Sequence, residues 1–427
     1  MSFWRSVYEF LLAGSRAHAR WDMVVSSVIL KSRKKLLFLL ALAAPIFMIC
    51  LAEAYEGRVI LGGHSAYAPA FYTTPIFLSS IGIGIAAGLI TGVIGAGGGF
   101  IITPALMAVG VKGILAVGTD LFHIFAKAIM GSSIHSKLGN VSVRLALTFL
   151  VGSILGTFIG GAINKGLYDA NPLLSDLFIS SIYALLLGFL GFYALFDFFR
   201  SAHAAKKSGQ AQELELNGTA RRIQALHVPP MIGFDENIMP GGRSISAWVV
   251  IAGGVVVGFL AAIMGVGGGF VTFPMFVYIF GVSSMTTVGT DIFQIIFTAG
   301  FAAVGQYAVY GYVFYTLAIG MLLGSLVGIQ IGALTTAVVD EKYIRGFYAV
   351  SILSGFINRA SALPKKLVEL EYLDLPAWLT SLVETAGNWI FWIVVAIFGI
   401  WVCSRFFANI SVLRKSGIEE CNSGIEE

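Results

Sequence analysis

Charge is what this chain has least of. Asp, Glu, Lys and Arg make up 12% of its 427 residues, against about a quarter in a soluble domain. With 57% hydrophobic residues and a mean hydropathy of +0.86, the sequence is not built to face water. Cysteine is nearly missing as well. Of three, Cys50 and Cys403 fall in apolar runs and Cys421 in the tail, with no CxxC, so neither a disulfide framework nor a zinc site is indicated. The six histidines are scattered, and HExxH, GxSxG and GK[ST] do not occur. No enzyme activity, cofactor or metal is expected. The net charge of +4 belongs to short polar stretches between apolar runs. It predicts anchoring at a lipid bilayer rather than a nucleic-acid partner. Nothing in the sequence indicates a homo-oligomer.

What the chain has instead is long apolar runs. Those at 36–51, 75–94, 145–163, 177–199, 248–264 and 389–406 approach or exceed the ~18–20 residues that cross a bilayer core. The fold class predicted is an all-α polytopic membrane protein, multi-pass in a bacterial cytoplasmic membrane. Residues 1–30 read as a helix lying on the cytoplasmic surface, and KSRKK at 31–35 as a basic anchor that keeps the N-terminus cytoplasmic. Ala52-Glu53-Ala54 resembles a leader cleavage site, but the polar stretch ahead of the first apolar run is far too long for a leader's basic region.

The chain also repeats itself. GVIGAGGGFIITP (92–104) and AIMGVGGGFVTFP (262–274) align with Gly95, Gly97, Phe100 and Pro104 each 170 residues before Gly265, Gly267, Phe270 and Pro274. VGTD at 117–120 returns at 288–291 with offset 171, and GSILGTFIG at 152 as GSLVGIQIG at 324 with offset 172. Such slow drift predicts a duplicated half. Each half reads as five elements, 75–96, 97–110, 116–134, 141–163 and 177–199, then 247–266, 267–281, 288–307, 313–338 and 346–356. The organisation predicted is 1–56 (surface helix and an extra span), 75–199 (first repeat), 200–246 (flexible cytoplasmic linker), 247–358 (second repeat), 359–388 (periplasmic interfacial segment, with a helix at 364–381 anchored by Trp378) and 389–427 (final span and tail).

Five crossings are an odd number, so the halves face opposite ways. With 31–35 inside, Lys137 and Arg144, the six Lys/Arg of 200–243, Lys342 and Arg345, and Arg405, Arg414 and Lys415 also fall inside. Arg58, Lys112, Lys165, Arg359, Lys365 and Lys366 fall outside. That balance favours an inverted-topology repeat. The 97–110 piece would reach only about 21 Å as a helix, short of a ~30 Å core, and either crosses or re-enters.

Three consecutive glycines weaken a helix by ~1 kcal/mol each relative to Ala and permit positive φ. In hydrocarbon, irregular backbone is tolerated only against protein, water or ligand. A helix restarting after such a break aims bare N–H groups and a positive dipole end inward, an anion site. The competing reading is close helix packing, which the spacing of Gly84, Gly88 and Gly92 suits; consecutive glycines suit a break better. The anion-contacting residues expected are Gly97, Gly98, Gly99 and Phe100 with Gly267, Gly268, Gly269 and Phe270. Thr119, Asp120, Thr290 and Asp291 are N-caps for the helices that follow, polar groups of the site, or both, and His123 and Gln294 are further substrate-binding candidates. Asp120, His123 and Lys127 share one helix face; the second half offers Asp291, Gln294 and Thr298 there. Asp120, His123, Lys127 and Asp291 are the candidates for proton or charge coupling, and a Lys127–Asp120 pair that only holds the fold is the alternative.

The duplicated G-x-GGGF-x3-P and VGTD blocks resemble the TauE/SafE family of sulfite and organosulfonate exporters over 75–338. The resemblance implies two homologous membrane modules and a small sulfur-containing anion as substrate: sulfite, thiosulfate or a C2 sulfonate such as sulfoacetate. It implies export or, in some members, import of that anion, and the reading expected here is a secondary carrier working in the export direction, without a cofactor. A passive anion channel, or a carrier of a non-sulfur organic anion, is the alternative.

Overall fold

The computed structural model describes residues 74–94, 99–137, 141–204, 218–235, 242–336, 339 and 341–409. The surface helix, basic anchor and extra span expected within 1–56, the tail beyond 409, and residues 95–98 of the first glycine stretch lie outside them. The chain divides into two compact units, one of 1–61 with 408–427 and one of 62–407. The second unit holds the helical bundle.

Its helices are α1 (Thr74–Ile94), α2 (Gly99–Ala108), α3 (Gly113–Lys137), α4 (Val143–Ala170), α5 (Pro172–Ala204), α6 (Gly218–Gln224), α7 (Ala247–Met264), α8 (Gly269–Pro274, continued by a π turn Met275–Phe280), α9 (Ser284–Gly300, continued by a π turn Phe301–Tyr307), α10 (Tyr315–Thr336), α11 (Glu341–Glu369) and α12 (Ala377–Ala408). Among the described residues, six helices are long and apolar enough to cross a membrane, while α1, α2 and α8 are shorter apolar helices. The local chemistry sets the ends. Asn171 Oδ1 accepts the Leu173 N–H at 2.9 Å, and Pro172 takes the first helical position of α5, where a missing N–H costs nothing. Ser283 Oγ accepts the Thr286 N–H and caps α9.

Two seams organise the bundle, α1 against α10 and α4 against α7. Glycines bring the backbones into contact along both. A Cβ on Gly84 would stand 2.3 Å from Met321 O, and one on Gly324 2.2 Å from Ile81 O. On the other seam, Gly156 would meet Val255 O and Gly258 would meet Ser153 O, each at 2.0 Å. Close packing is therefore the role of Gly84 and Gly88, as their spacing suggested. α3 packs on α9 and α5 on α11.

The short helices run apart from a common centre. The C-terminal end of α8 meets the first turns of α4, where Phe276 stands edge-on to Phe149 at 5.0 Å. The C-terminal end of α2 leads to Gly113, whose N–H is accepted by Asp176 Oδ1 at 2.7 Å. Asp176 opens α5, just past the far end of α4. α4 has 28 residues, about 42 Å of helix, so α2 and α8 point to opposite ends of the bundle.

Three expectations are corrected. The third elements begin at Gly113 and Ser284, not at 116 and 288. Thr119-Asp120 and Thr290-Asp291 therefore lie inside helices and cap neither. The element expected at 346–356 extends from Glu341 through Pro364 to Glu369, and no separate helix forms over 364–381. Its lysines find partners instead of ending it: Lys365 pairs with Glu384 at 2.8 Å and Lys366 with Asp176 at 3.4 Å. Trp378 is exposed in the first turn of α12. In the linker region, the described residues 218–235 and 242–246 are folded rather than loose. A hairpin of β1 (Met231–Phe234) and β2 (Arg243–Ser246) buries Phe234 and Ile245 against Leu145, Phe149, Phe276 and Phe280. Gln224 Nε2 and Arg243 Nη1 donate to the carbonyls of Phe280 (2.8 Å) and Gly281 (2.6 Å). Asp235 accepts both the N–H and the hydroxyl of Ser283.

Gly258→Val and Gly324→Val should each lower the thermal unfolding temperature of the detergent-solubilised protein, at a cost of about 1–3 kcal/mol or more from overpacking. Gly82→Ala, whose Cβ would meet nothing within 4 Å, should be neutral or stabilising by up to ~1 kcal/mol. Equal loss in all three would refute the seam.

Candidate functional site

α7 stops in the interior of the bundle. Gly265 caps it in the left-handed region (φ 78°), and Gly267 (φ 67°) and Gly268 (φ 97°) follow, before α8 restarts at Gly269. Only glycine takes three such conformations in four residues without strain. The break frees carbonyls that an unbroken helix would have used, and the surrounding helices supply donors. Gly265 N–H still closes the last turn of α7 on Ala261 O at 2.8 Å, but Ala262 O accepts the Tyr307 hydroxyl and Met264 O the Tyr183 hydroxyl. Asn164 Nδ2 in turn donates to Tyr307 Oη at 3.1 Å. The donor side is different. Among the described residues, none accepts from the N–H of Gly267, Gly268, Gly269 or Phe270, although all four residues are buried. These are bare amides at the positive end of a helix.

The two glycine stretches come together. Phe100 and Phe270 stack with ring centroids 5.1 Å apart, and a Cβ on Gly99 would stand 3.0 Å from the Val266 Cα. Gly97 and Gly98 lie outside the described residues. Asp291 reaches the start of α8: a Cβ on Gly269 would be 3.0 Å from its Oδ2. Its Oδ1 accepts from Gln294 Nε2 at 2.9 Å. Gln294 Oε1 accepts from Thr298 Oγ1 at 2.7 Å, and Thr298 lies 2.8 Å from Ser153 Oγ. Asp291, Gln294 and Thr298 thus form one polar chain against the break.

The first half is arranged differently. Asp120 Oδ2 accepts the Thr103 hydroxyl at 2.9 Å. Asp120 Oδ1 and His123 Nδ1 face each other at 3.8 Å, both fully buried and both without a hydrogen-bond partner. His123 Nε2 lies 2.9 Å from Ser325 Oγ, which donates to Gly84 O. Lys127 donates to Thr91 Oγ1 of α1 at 3.3 Å. Thr119 and Thr290 have matching structural duties: Thr119 Oγ1 accepts the Phe314 N–H at 2.9 Å and Thr290 Oγ1 the Ser142 N–H at 3.0 Å. Each fastens the loop that enters α10 or α4. Sequence reasoning missed Thr103, Tyr183, Tyr307 and Arg359. Single polar residues inside apolar runs carry no periodic signal; an isolated Tyr or Arg there was the only cue.

Six helices long and apolar enough to cross a membrane among the described residues, with a glycine-broken helix among them, mark a multi-pass membrane protein. The chain belongs to the sulfite exporter TauE/SafE family, whose model matches residues 80–358, and it is a membrane transporter. It is 27% identical over 277 residues to the probable membrane transporter protein YunE of Bacillus subtilis, covering 63% of this chain and 91% of that protein. It is 25% identical to YjnA of the same organism, also a probable membrane transporter protein, over 60% of this chain and 89% of that one. A probable membrane transporter protein of Xylella fastidiosa is 24% identical over 61% and 85%. No solved structure matches.

Tyr183→Phe and Tyr307→Phe each strand a buried carbonyl of the break. Each should lower stability by about 1–3 kcal/mol, read as a fall in thermal unfolding temperature; a pair of neutral variants would show that the carbonyls find other donors.

Proposed function

We propose that the protein is a secondary carrier that exports a small sulfur-containing anion, such as sulfite, thiosulfate or a C2 sulfonate like sulfoacetate, from a bacterial cytoplasm, its N-terminus inside. The observation that carries this reading is the row of unpartnered, buried N–H groups from Gly267 to Phe270, beside a second glycine stretch brought close by the Phe100–Phe270 stack. A buried polar group left without a partner is costly, and an oxyanion seated between the two helix starts would supply the acceptors. The anion therefore binds against Gly97 to Phe100 and Gly267 to Phe270, with Gln294 nearby. Matched at offsets of 170 to 172, α1 corresponds to α7 and α4 to α10, so the α1–α10 and α4–α7 seams exchange. That supports an inverted repeat, in which one half rocks against the other around a central site. Export of an anion is favoured by a negative-inside potential, by about 2.3 kcal/mol per charge per 100 mV.

Asp291 gives the carrier a way to couple. Its carboxylate stands at the same helix start as the proposed anion, and two negative charges there repel. Substrate binds when Asp291 is protonated or has swung away, which links anion movement to a proton. Asp120 Oδ1 and His123 Nδ1, which face each other with no hydrogen-bond partner among the described residues, offer a second place for that proton.

In proteoliposomes the protein should accumulate at least one of sulfite, thiosulfate and sulfoacetate, and should prefer it to carboxylate analogues. Single-channel currents far above carrier turnover would overturn the carrier reading. Asp291→Asn should retain uptake but lose its response to an imposed pH gradient; an intact response would remove Asp291 from coupling.

A further inference from the structure

One buried guanidinium lies near the breaks without taking part in them. Arg359 of α11 is 3% exposed. Its Nε donates to Asn358 Oδ1 at 2.7 Å, and Asn358 is steadied in turn by donating to Asn388 Oδ1 of α12 at 2.6 Å. Its Nη2 reaches Pro104 O of α2 at a long 3.4 Å. Among the described residues, no carboxylate forms an ion pair with it. Glu384 and Asp176 act on it from farther off, and each already holds a lysine, Lys365 and Lys366. A buried cation with no counter-ion is strongly unfavourable unless something brings the negative charge.

Its location says what that charge is. Gly355 and Arg359 are four residues apart on one face of α11. A Cβ on Gly355 would face Phe100 O at 3.6 Å, and Arg359 faces Pro104 O, four residues further along α2. The guanidinium therefore lies about one helical turn, ~6 Å, from the level of Phe100, towards the C-terminal end of α2 at Ala108. Asn358 occupies the Nε and Pro104 O takes one Nη2 hydrogen at long range, so among the described residues the other hydrogens of the edge formed by Nη1 and Nη2 have no acceptor. Such an edge matches two oxygens of one oxyanion.

We propose that Arg359 is a substrate-recognition residue forming a second anion subsite, one helical turn along α2 from the paired breaks, and that it binds two oxygens of a sulfonate or sulfite-like group. This rests on the carrier reading. In transit the anion exchanges the bare amides of the breaks for the guanidinium fork, so neither site must hold it tightly. The alternative is that Arg359 only ties α11 to α2 and α12.

The full chain, wild type, Arg359→Gln and Arg359→Lys, is reconstituted and uptake of sulfite, thiosulfate and sulfoacetate is measured. For whichever anion the wild type takes up, Arg359→Gln should raise KM about tenfold or more with a smaller change in kcat. Arg359→Lys, which keeps the charge and loses the fork, should fall between. If Arg359→Gln does not fold, the thermal stabilisation that the same anion gives the wild type should shrink in Arg359→Lys; an undiminished shift overturns the subsite. So does an unchanged KM in folded Arg359→Gln, or a loss confined to kcat. A wild type that takes up none of the three overturns the carrier reading itself, and the subsite with it.

Discussion

A helix that ends inside an apolar slab has to find partners for every backbone group it releases, and this requirement governs the centre of the molecule. Water is not there to help. On the carbonyl side of the second break the bundle meets the requirement, with the Tyr183 and Tyr307 hydroxyls reaching over from α5 and the π turn after α9. On the amide side, no described residue accepts from Gly267 to Phe270. That asymmetry sets the second break apart from the glycine seams. It also explains why polar side chains gather around the break.

Holding two interrupted helices end to end needs a rigid frame, because short helices bury little surface of their own. The glycine seams provide it. Along α1–α10 and α4–α7 the backbones touch at positions where any side chain would collide, so two long rigid pairs flank the breaks. The clamp from the linker hairpin, through Asp235, Arg243 and Gln224, fixes the turn between α8 and α9 at one end. Asp176 does the same for the turn between α2 and α3 by accepting the Gly113 N–H. A carrier that moves by rocking keeps such pairs intact and changes only the contacts between them.

The two matching sequence stretches are less alike in chemistry than in letters. Both copies place an Asp about two turns into the third helix, yet Asp291 joins a closed hydrogen-bonded chain with Gln294 and Thr298. Asp120 faces His123 across a gap with neither atom satisfied. The two Asp residues therefore sit at like positions on their helices and meet different partners.

Much of the architecture was legible in the residues alone. Apolar runs announced the spans, three adjacent glycines announced the interruption, and glycines four apart announced the seams, because each follows from local chemistry that needs no neighbour. Thr119 and Thr290 show the limit: the residue type suggests a cap, but each hydroxyl is taken by a backbone N–H from a loop 195 or 148 residues away in sequence. Arg359 shows it again, since the charged stretch reads as an interfacial segment until Asp176 and Glu384, on two other helices, are seen to take its lysines. By itself the sequence determined that the chain is largely apolar helix, that closely spaced glycines end one helix at 265–268, and that the glycine pattern recurs. Which polar groups meet was decided only by the tertiary structure, because hydrogen bonds and charge pairs in an apolar interior depend on which helices lie side by side, and no periodicity along one helix records its neighbour.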